Sequence, residues 1–228
     1  MKVLFVGEGP HDVGSPNRIP GQPRPAGGTI PTLTRRVCDR VAPDSIAITW
    51  SEIPRFHASG KKRGFPAKIM AAVLLSMRSF GCAGTIAVAD RDGKAERNAE
   101  LEAGVVQAQQ LFPGHAAAWG TAVESIEAWT LGAPQAIAEE LEVDVRLVEQ
   151  QYPAGVHVEA SSETSGKLDH RPKRLIERLA QLKHRHDSAE FRAAVAERTD
   201  VDALAQACPQ GFAPFAERIR RAFGPTTV

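Results

Sequence analysis

The chain has 228 residues, of which 43% are hydrophobic and 24% are charged, as is typical of a soluble globular protein. Its 28 Lys and Arg residues against 27 Asp and Glu exclude a strongly basic chain, although a local basic groove would suffice to bind nucleic acid. No apolar run approaches the roughly 20 residues of a membrane helix, and no signal peptide is recognisable. Because the three cysteines are sparse and scattered, we expect a reducing compartment and a cytoplasmic protein without membrane contacts.

Strands and helices alternate through the first part of the chain. Apolar runs bounded by turn residues predict four strands, at residues 3–6, 45–50, 85–89 and 115–119. A loop rich in Gly and Pro, residues 9–28, follows the first strand. Helices are predicted at residues 29–41, 65–80, 94–112 and 124–131. This alternation predicts an α/β fold with a parallel four-stranded sheet flanked by helices.

The second part of the chain has no strand pattern. Helices are predicted near residues 134–151, 171–186, 188–198 and 212–223. We therefore predict an α/β domain at residues 1–132, followed by a helical extension at residues 133–228 that packs on it. The alternative is one core shared by both parts.

Acidic residues follow two of the predicted strands. Glu8 comes directly after the first strand, and Asp90 and Asp92 follow the third. If these strands are neighbours, as in the common order 2-1-3-4, the carboxylates share the crevice at the carboxyl ends of the strands. Carboxylates crowded together repel one another, and a hard cation such as Mg²⁺ relieves that repulsion. The pattern therefore predicts a metal site open to a phosphate, although Asp-Gly pairs such as the one at Asp92 are also common in simple turns.

Five short motifs resemble those of the TOPRIM (topoisomerase–primase) superfamily. Glu8-Gly9 and Asp90-Arg91-Asp92-Gly93 resemble the superfamily as a whole, and the extended form Glu8-Gly9-Pro10-His11-Asp12 resembles the branch that includes the overcoming-lysogenization-defect nucleases. The other motifs resemble a small bacterial TOPRIM-like family within that branch. The motifs are Glu8-Gly9-Pro10-His11-Asp12, Asp90-Arg91-Asp92-Gly93, Val123-Glu124-Ser125-Ile126-Glu127-Ala128-Trp129, Pro172-Lys173 and Cys208-Pro209-Gln210-Gly211-Phe212.

The resemblance implies a nuclease that uses one or two Mg²⁺ or Mn²⁺ ions, in a TOPRIM-like Rossmannoid fold. Glu8 would be a metal ligand or a general acid/base, and Lys173 would stabilise the developing charge. The remaining implied metal ligands are Asp12, Asp90 and Asp92, with Glu124 and Glu127 for a second ion. A role in phage defence is implied by the resemblance alone.

Basic residues that could hold nucleic acid, DNA or RNA, follow the second predicted strand. They are Arg55, Lys61, Lys62 and Arg63, with Phe65 nearby as a residue that could stack on a base. Arg18 and Arg24, in the first long loop, are weaker candidates of the same kind. The alternative is a solvated basic loop with no ligand.

Two other functions remain open from the residues. A phosphotransfer receiver domain also clusters acids at the first and third strands, but it needs a second acid beside Glu8. A non-catalytic TOPRIM-like subunit would bind nucleic acid or a partner without cutting. Since the chain has no ATPase domain, the expected partners include a separately encoded ATPase subunit and further copies of the chain itself.

Overall fold

A computed structural model describes residues 1–14, 23–53, 64–91, 93–155, 157–161, 165–167 and 170–225. Within these ranges the chain forms an α/β fold around a five-stranded, mostly parallel sheet. The strands are β1 (Val3–Gly7), β2 (Arg24–Pro25), β3 (Ile46–Thr49), β4 (Gly84–Asp90) and β5 (Ala116–Ala122), and their order in the sheet is β2-β3-β1-β4-β5.

The four predicted strands are all present, and the order of β3, β1, β4 and β5 is the expected one. The prediction of a four-stranded sheet was wrong by one strand. The additional strand, β2, has two residues and pairs antiparallel with β3 at the edge of the sheet. Pro25 fits there because an edge strand tolerates a residue that has no N–H group to donate.

Helices cover both faces of the sheet and continue beyond it. In chain order they are α1 (Pro10–Val13), α2 (Thr29–Val37), α3 (Gly64–Arg78), α4 (Arg97–Leu111), α5 (Glu127–Leu131), α6 (Pro134–Leu141), α7 (Val145–Glu149), α8 (Pro172–Gln181), α9 (Ala189–Arg198), α10 (Val201–Ala207) and α11 (Phe212–Phe223). A 3₁₀ turn lies at Val158–Ala160. Among the described helices, none combines the length and the apolar character that crossing a membrane requires.

Alternate side chains of each strand enter two different cores, as the two-residue period of a strand requires. Leu4 of β1 belongs to the core beneath α3 and α4, with Ile69 and Leu101. Phe5 points to the opposite core, where it lies in one cluster with Ile30 of α2 and residues of α11. The sheet is therefore the middle layer of three.

The segment after residue 133 contributes to two cores. Residues of α6, α8 and α9, among them Ile137, Leu179 and Phe191, form a third cluster. In contrast, α11 packs against β5, and its Phe215 lies in the same cluster as Phe5 of β1. The predicted division at residue 132 remains a prediction, but residues on both sides of it share the core under α11.

Candidate functional site

A cleft of about 420 Å³ opens at the carboxyl ends of β1 and β4. One wall comes from the residues that follow these strands, and the other comes from the first turns of α5 and α8 and from the start of α9. The lining residues are Glu8, Gly9, His11, Asp12, Asp90, Ile126, Glu127, Lys173, Asp187 and Arg192. Acidic and basic side chains therefore meet in one cleft.

Glu8 and Asp90 reach the cleft from adjacent strands. Strand β1 pairs in parallel with β4, so both strands end at the same edge of the sheet. Glu8 follows the last residue of β1 and is exposed, whereas Asp90 is the last residue of β4 and is half-buried. Asp90 Oδ1 accepts a hydrogen bond of 3.0 Å from the backbone N–H of Ile126, which directly precedes α5.

Asp12 is buried in the same wall, on the short helix α1, and is only 8% exposed. Its Oδ2 accepts a hydrogen bond of 2.7 Å from the backbone N–H of Gly9, which orients the carboxyl group. Burial raises the pKa of Asp12 to about 6, and the negative charges of Glu127 and Glu8 contribute to the increase; the Gly9 hydrogen bond and Arg192 oppose it. In the metal-free protein the carboxyl group of Asp12 therefore changes its ionisation state near pH 6.

Glu127 and Arg192 form a buried ion pair in the opposite wall. Arg192 Nη1 donates to Glu127 Oε1 at 2.7 Å, and both side chains are at most 6% exposed. The same guanidinium donates from Nε and Nη2 to the two oxygens of Asp187, at 2.6 and 2.5 Å. Burial raises the pKa of Glu127, but the charge and hydrogen bond of Arg192, together with a backbone hydrogen bond and the charge of Lys173, outweigh burial, and the pKa lies below its ordinary value.

Lys173 approaches the cleft from the first turn of α8. The backbone of α8 begins with Pro172, whose fixed φ angle suits the first position of a helix. The Lys173 side chain is exposed, and its positive charge contributes to lowering the pKa of Glu127. The fold thus places Lys173 in the same cleft as the acidic residues, although it is far from Glu8, Asp12 and Asp90 in the sequence.

Five of the predicted site residues line this cleft, and the others do not or lie outside the described ranges. Those that line it are Glu8, Asp12, Asp90, Glu127 and Lys173. Glu124 is half-buried and is not part of the lining. Asp92, Arg18, Arg55, Lys61, Lys62 and Arg63 lie outside the described residues. Among the residues that are described, no group of three or more His, Cys, Asp or Glu side chains is arranged to hold a metal ion.

Two further residues predicted to contact nucleic acid, Arg24 and Phe65, have partners within the protein. Arg24 is 7% exposed and its Nη2 donates to Glu52 Oε1 at 2.7 Å, so its charge is buried in an ion pair. The Phe65 ring packs edge-on against Trp50, with 4.9 Å between centroids, and the Arg97 guanidinium lies 4.0 Å from its centre. That contact occupies a face on which a base would stack.

Sequence reasoning missed Arg192 and Asp187. Their one local signal is the Asp187-Ser188 pair before α9, where Ser188 caps the helix by accepting a hydrogen bond of 3.1 Å from Phe191 N–H. Nothing in the sequence indicates that an arginine on this helix points inward, because its other partner, Glu127, is 65 residues away.

Comparison of the chain with protein-family models, with curated proteins and with solved structures found no match. The geometry of the cleft is therefore what supports a function.

Proposed function

We propose that this chain is a TOPRIM-like nuclease that uses a divalent metal ion to hydrolyse phosphodiester bonds in DNA or RNA. The observation that carries the proposal is the meeting of Glu8 and Asp90 in one cleft, at the carboxyl ends of two adjacent parallel strands. In parallel sheets this edge is where ligands bind. Asp12, in the same wall, adds a third carboxyl group.

The acidic wall fits a hard cation such as Mg²⁺ or Mn²⁺. Glu8 and Asp90 would hold the ion, with Asp92, which lies outside the described residues, as the further predicted ligand. The chemistry of the set is suitable because these ions prefer carboxylate oxygens. Crowding is also visible in the structure, since burial and the charges of Glu127 and Glu8 raise the pKa of Asp12, and a cation would relieve this cost. When bound, the ion would polarise the scissile phosphate and make an attacking water more acidic.

The protein's own residues supply the remaining parts of the reaction. Lys173, exposed on the other wall, would bind a phosphate oxygen and offset the negative charge that develops there. The pKa of Asp12 is about 6 in the metal-free protein, and a bound cation would lower it, so that Asp12 would be ionised at neutral pH and would accept a hydrogen bond from the attacking water. Asp90 is held in place by the backbone N–H of Ile126. The basic residues Arg55, Lys61, Lys62 and Arg63 would bind the nucleic-acid backbone outside the cleft.

The test is cleavage of supercoiled plasmid DNA, and of a single-stranded RNA, by the purified chain with Mg²⁺, Mn²⁺ or a chelator. The expected result is metal-dependent cleavage that is lost in Asp90→Asn and Glu8→Gln. Asp44→Asn is the matched control, because Asp44 is an exposed aspartate just before β3. It lies at the amino-terminal ends of the parallel strands, whereas the cleft lies at their carboxyl ends. This variant is expected to cut like the wild type.

Two results would contradict the proposal. Cleavage that persists in Asp90→Asn would assign the activity to a contaminant. Absence of cleavage on both substrates, with no measurable Mn²⁺ binding, would remove the metal site altogether. If Mn²⁺ binds but nothing is cut, the non-catalytic subunit becomes the better description, and addition of an ATPase partner would be the next measurement.

A further inference from the structure

The structure gives Glu127 a partner that competes with metal binding. The resemblance assigned Glu124 and Glu127 to a second metal ion, and Glu124 does not line the cleft. The Glu127 side chain is 5% exposed, and its Oε1 receives a hydrogen bond of 2.7 Å from Arg192. A permanently charged guanidinium therefore lies where a second ion would have to bind.

Arg192 is held firmly in this position. Its Nε and Nη2 donate to both oxygens of Asp187, a bidentate arrangement that fixes the plane of the guanidinium. Its side chain is only 6% exposed. The hydrogen bonds and charges of Asp187 and Glu127 more than offset the effect of burial and raise the pKa of Arg192 above its ordinary value. Arg192 is therefore charged at every pH at which the protein is folded.

We propose that Arg192 takes the place of a second metal ion, so that the cleft binds one divalent cation and not two. This inference rests on the proposed function, since it presumes that Glu8 and Asp90 hold an ion. Glu127 and Asp187 are then positioning residues for the arginine and do not bind metal. The cleft holds two fixed cations, Arg192 and Lys173, in the wall that faces the acidic residues.

Electrostatics favours this arrangement over two ions. An ion bound to Glu127 would lie beside the guanidinium that shares the same carboxylate, and like charges at that distance repel strongly in a buried site. The arginine cannot relieve the repulsion by losing a proton. Moving it away would leave Asp187, whose side chain is only 12% exposed, without this partner, which is costly. The guanidinium supplies a fixed positive charge to the cleft while its N–H groups are held by Asp187 and Glu127.

The experiment counts bound ions and does not depend on activity. The purified chain is titrated with Mn²⁺, and free Mn²⁺ is followed by electron paramagnetic resonance, for the wild type, Glu127→Gln, Glu124→Gln and Asp90→Asn. We expect one Mn²⁺ per wild-type chain, and the same number with similar affinity in Glu127→Gln and Glu124→Gln. Gln keeps an oxygen that can accept from Arg192, so the fold is preserved. Asp90→Asn is expected to lose at least about tenfold in affinity, because even indirect partners of a metal ligand contribute that much.

A further variant, Arg192→Met, tests the same idea in the opposite direction. Without the cation, Glu127 and Asp187 become available to metal, and we expect the number of bound Mn²⁺ ions to rise from one to two. If this variant does not fold, as judged by circular dichroism, Glu127→Gln still decides the question.

Two outcomes overturn the inference and are distinguishable from each other. Two ions in the wild type, falling to one in Glu127→Gln, would make Glu127 a metal ligand and leave the nuclease proposal standing. No bound ion in the wild type would instead remove the metal site on which both proposals depend.

Discussion

Asp90, at the end of β4, and Ile126, at the start of α5, are joined by a hydrogen bond of 3.0 Å from the Ile126 backbone N–H to Asp90 Oδ1. This contact gives one carboxylate two tasks. It satisfies an N–H group at the start of a helix, which has no partner within the helix itself, and it fixes the oxygen atoms of a proposed metal ligand. The structural task and the functional task can be separated by mutation.

Asp90→Ala and Asp90→Asn are expected to differ in stability but not in metal binding. Alanine removes the acceptor for Ile126 and should lower the free energy of unfolding by about 0.5–2 kcal/mol, as for other lost helix caps. Asparagine keeps an oxygen acceptor and should stay within about 0.5 kcal/mol of the wild type. Urea unfolding in the presence of a chelator measures the difference. Equal stability of the two variants would show that the hydrogen bond contributes nothing.

Asp12→Asn is expected to stabilise the metal-free protein above about pH 6. The pKa of Asp12 is raised from 3.8 to about 6, so the folded state prefers the protonated carboxyl group. Its favourable contribution is fully present below pH 3.8 and is lost as the pH rises through about 6. Removing the ionisable group should therefore raise the free energy of unfolding above pH 6, by up to about 3 kcal/mol.

The gain should shrink as the pH falls from about 7 to about 4, which unfolding curves at several pH values would reveal. Asp44→Asn, at an exposed position, serves as the control and should show no comparable trend. A stabilisation by Asp12→Asn that is the same at every pH would mean that ionisation of Asp12 is not its cause.

Arg24 and Glu52 are expected to depend on each other for stability. Glu52 is 4% exposed and also accepts hydrogen bonds from Thr49, at 2.8 Å from its backbone N–H. Arg24→Met removes a cation from beside this buried carboxylate and should cost about 3–5 kcal/mol in denaturant unfolding. Replacing both residues, as Arg24→Met with Glu52→Leu, should cost less than the single change.

The exposed pair Arg221 and Glu217 is the matched control for this experiment. Both side chains are more than 60% exposed, so Arg221→Met should change stability by less than about 1 kcal/mol. A similar small effect for Arg24→Met would show that burial does not determine the strength of the Arg24 pair.

Gly120→Ala should displace α11 from its close contact with β5 and lower the stability of the protein. A methyl group on Gly120 of β5 would lie 2.5 Å from Cδ2 of Phe215, so it must push the helix away, at a cost of about 1–3 kcal/mol. Combining it with Phe215→Leu should cost less than the sum of the two single changes, as measured by thermal or denaturant unfolding. Gly114→Ala, where the added methyl group meets open space, should have little effect. Strict additivity would indicate that the two positions do not touch.

The sequence predicts the sheet well because its long strands are continuous apolar runs. It does not reveal β2, since two residues cannot show a period. It also predicts one helix at 134–151 where the structure has two, because the break lies at Glu142, which adopts a left-handed φ of 52° without being glycine. Helix α10 was missed although its cap is readable: Asp200 accepts hydrogen bonds from Asp202 and Ala203 N–H.

The acidic wall of the cleft could be predicted, and the basic wall only in part. Glu8 and Asp90 follow strands directly, so strand order alone brings them together. Lys173 was found through the resemblance, because no local pattern connects it to residues near the sheet. Arg192 could not be found, since its inward orientation depends on how α9 packs against α5 and α6. The periodicity of apolar residues predicts each helix, but it does not predict which helices pack together when they are far apart in sequence.

The division of the cleft between strand ends and helix starts has a consequence for redesign. The carboxylates of Glu8 and Asp90 are anchored to the sheet, whereas Lys173 and Arg192 belong to helices that pack in a different cluster. If the proposed function holds, substitutions on α8 change which nucleic acid the cleft binds without moving the oxygen atoms proposed to bind metal. A library confined to the exposed positions of that helix other than Lys173, with β1 and β4 left unchanged, would test substrate preference while keeping the residues proposed for catalysis.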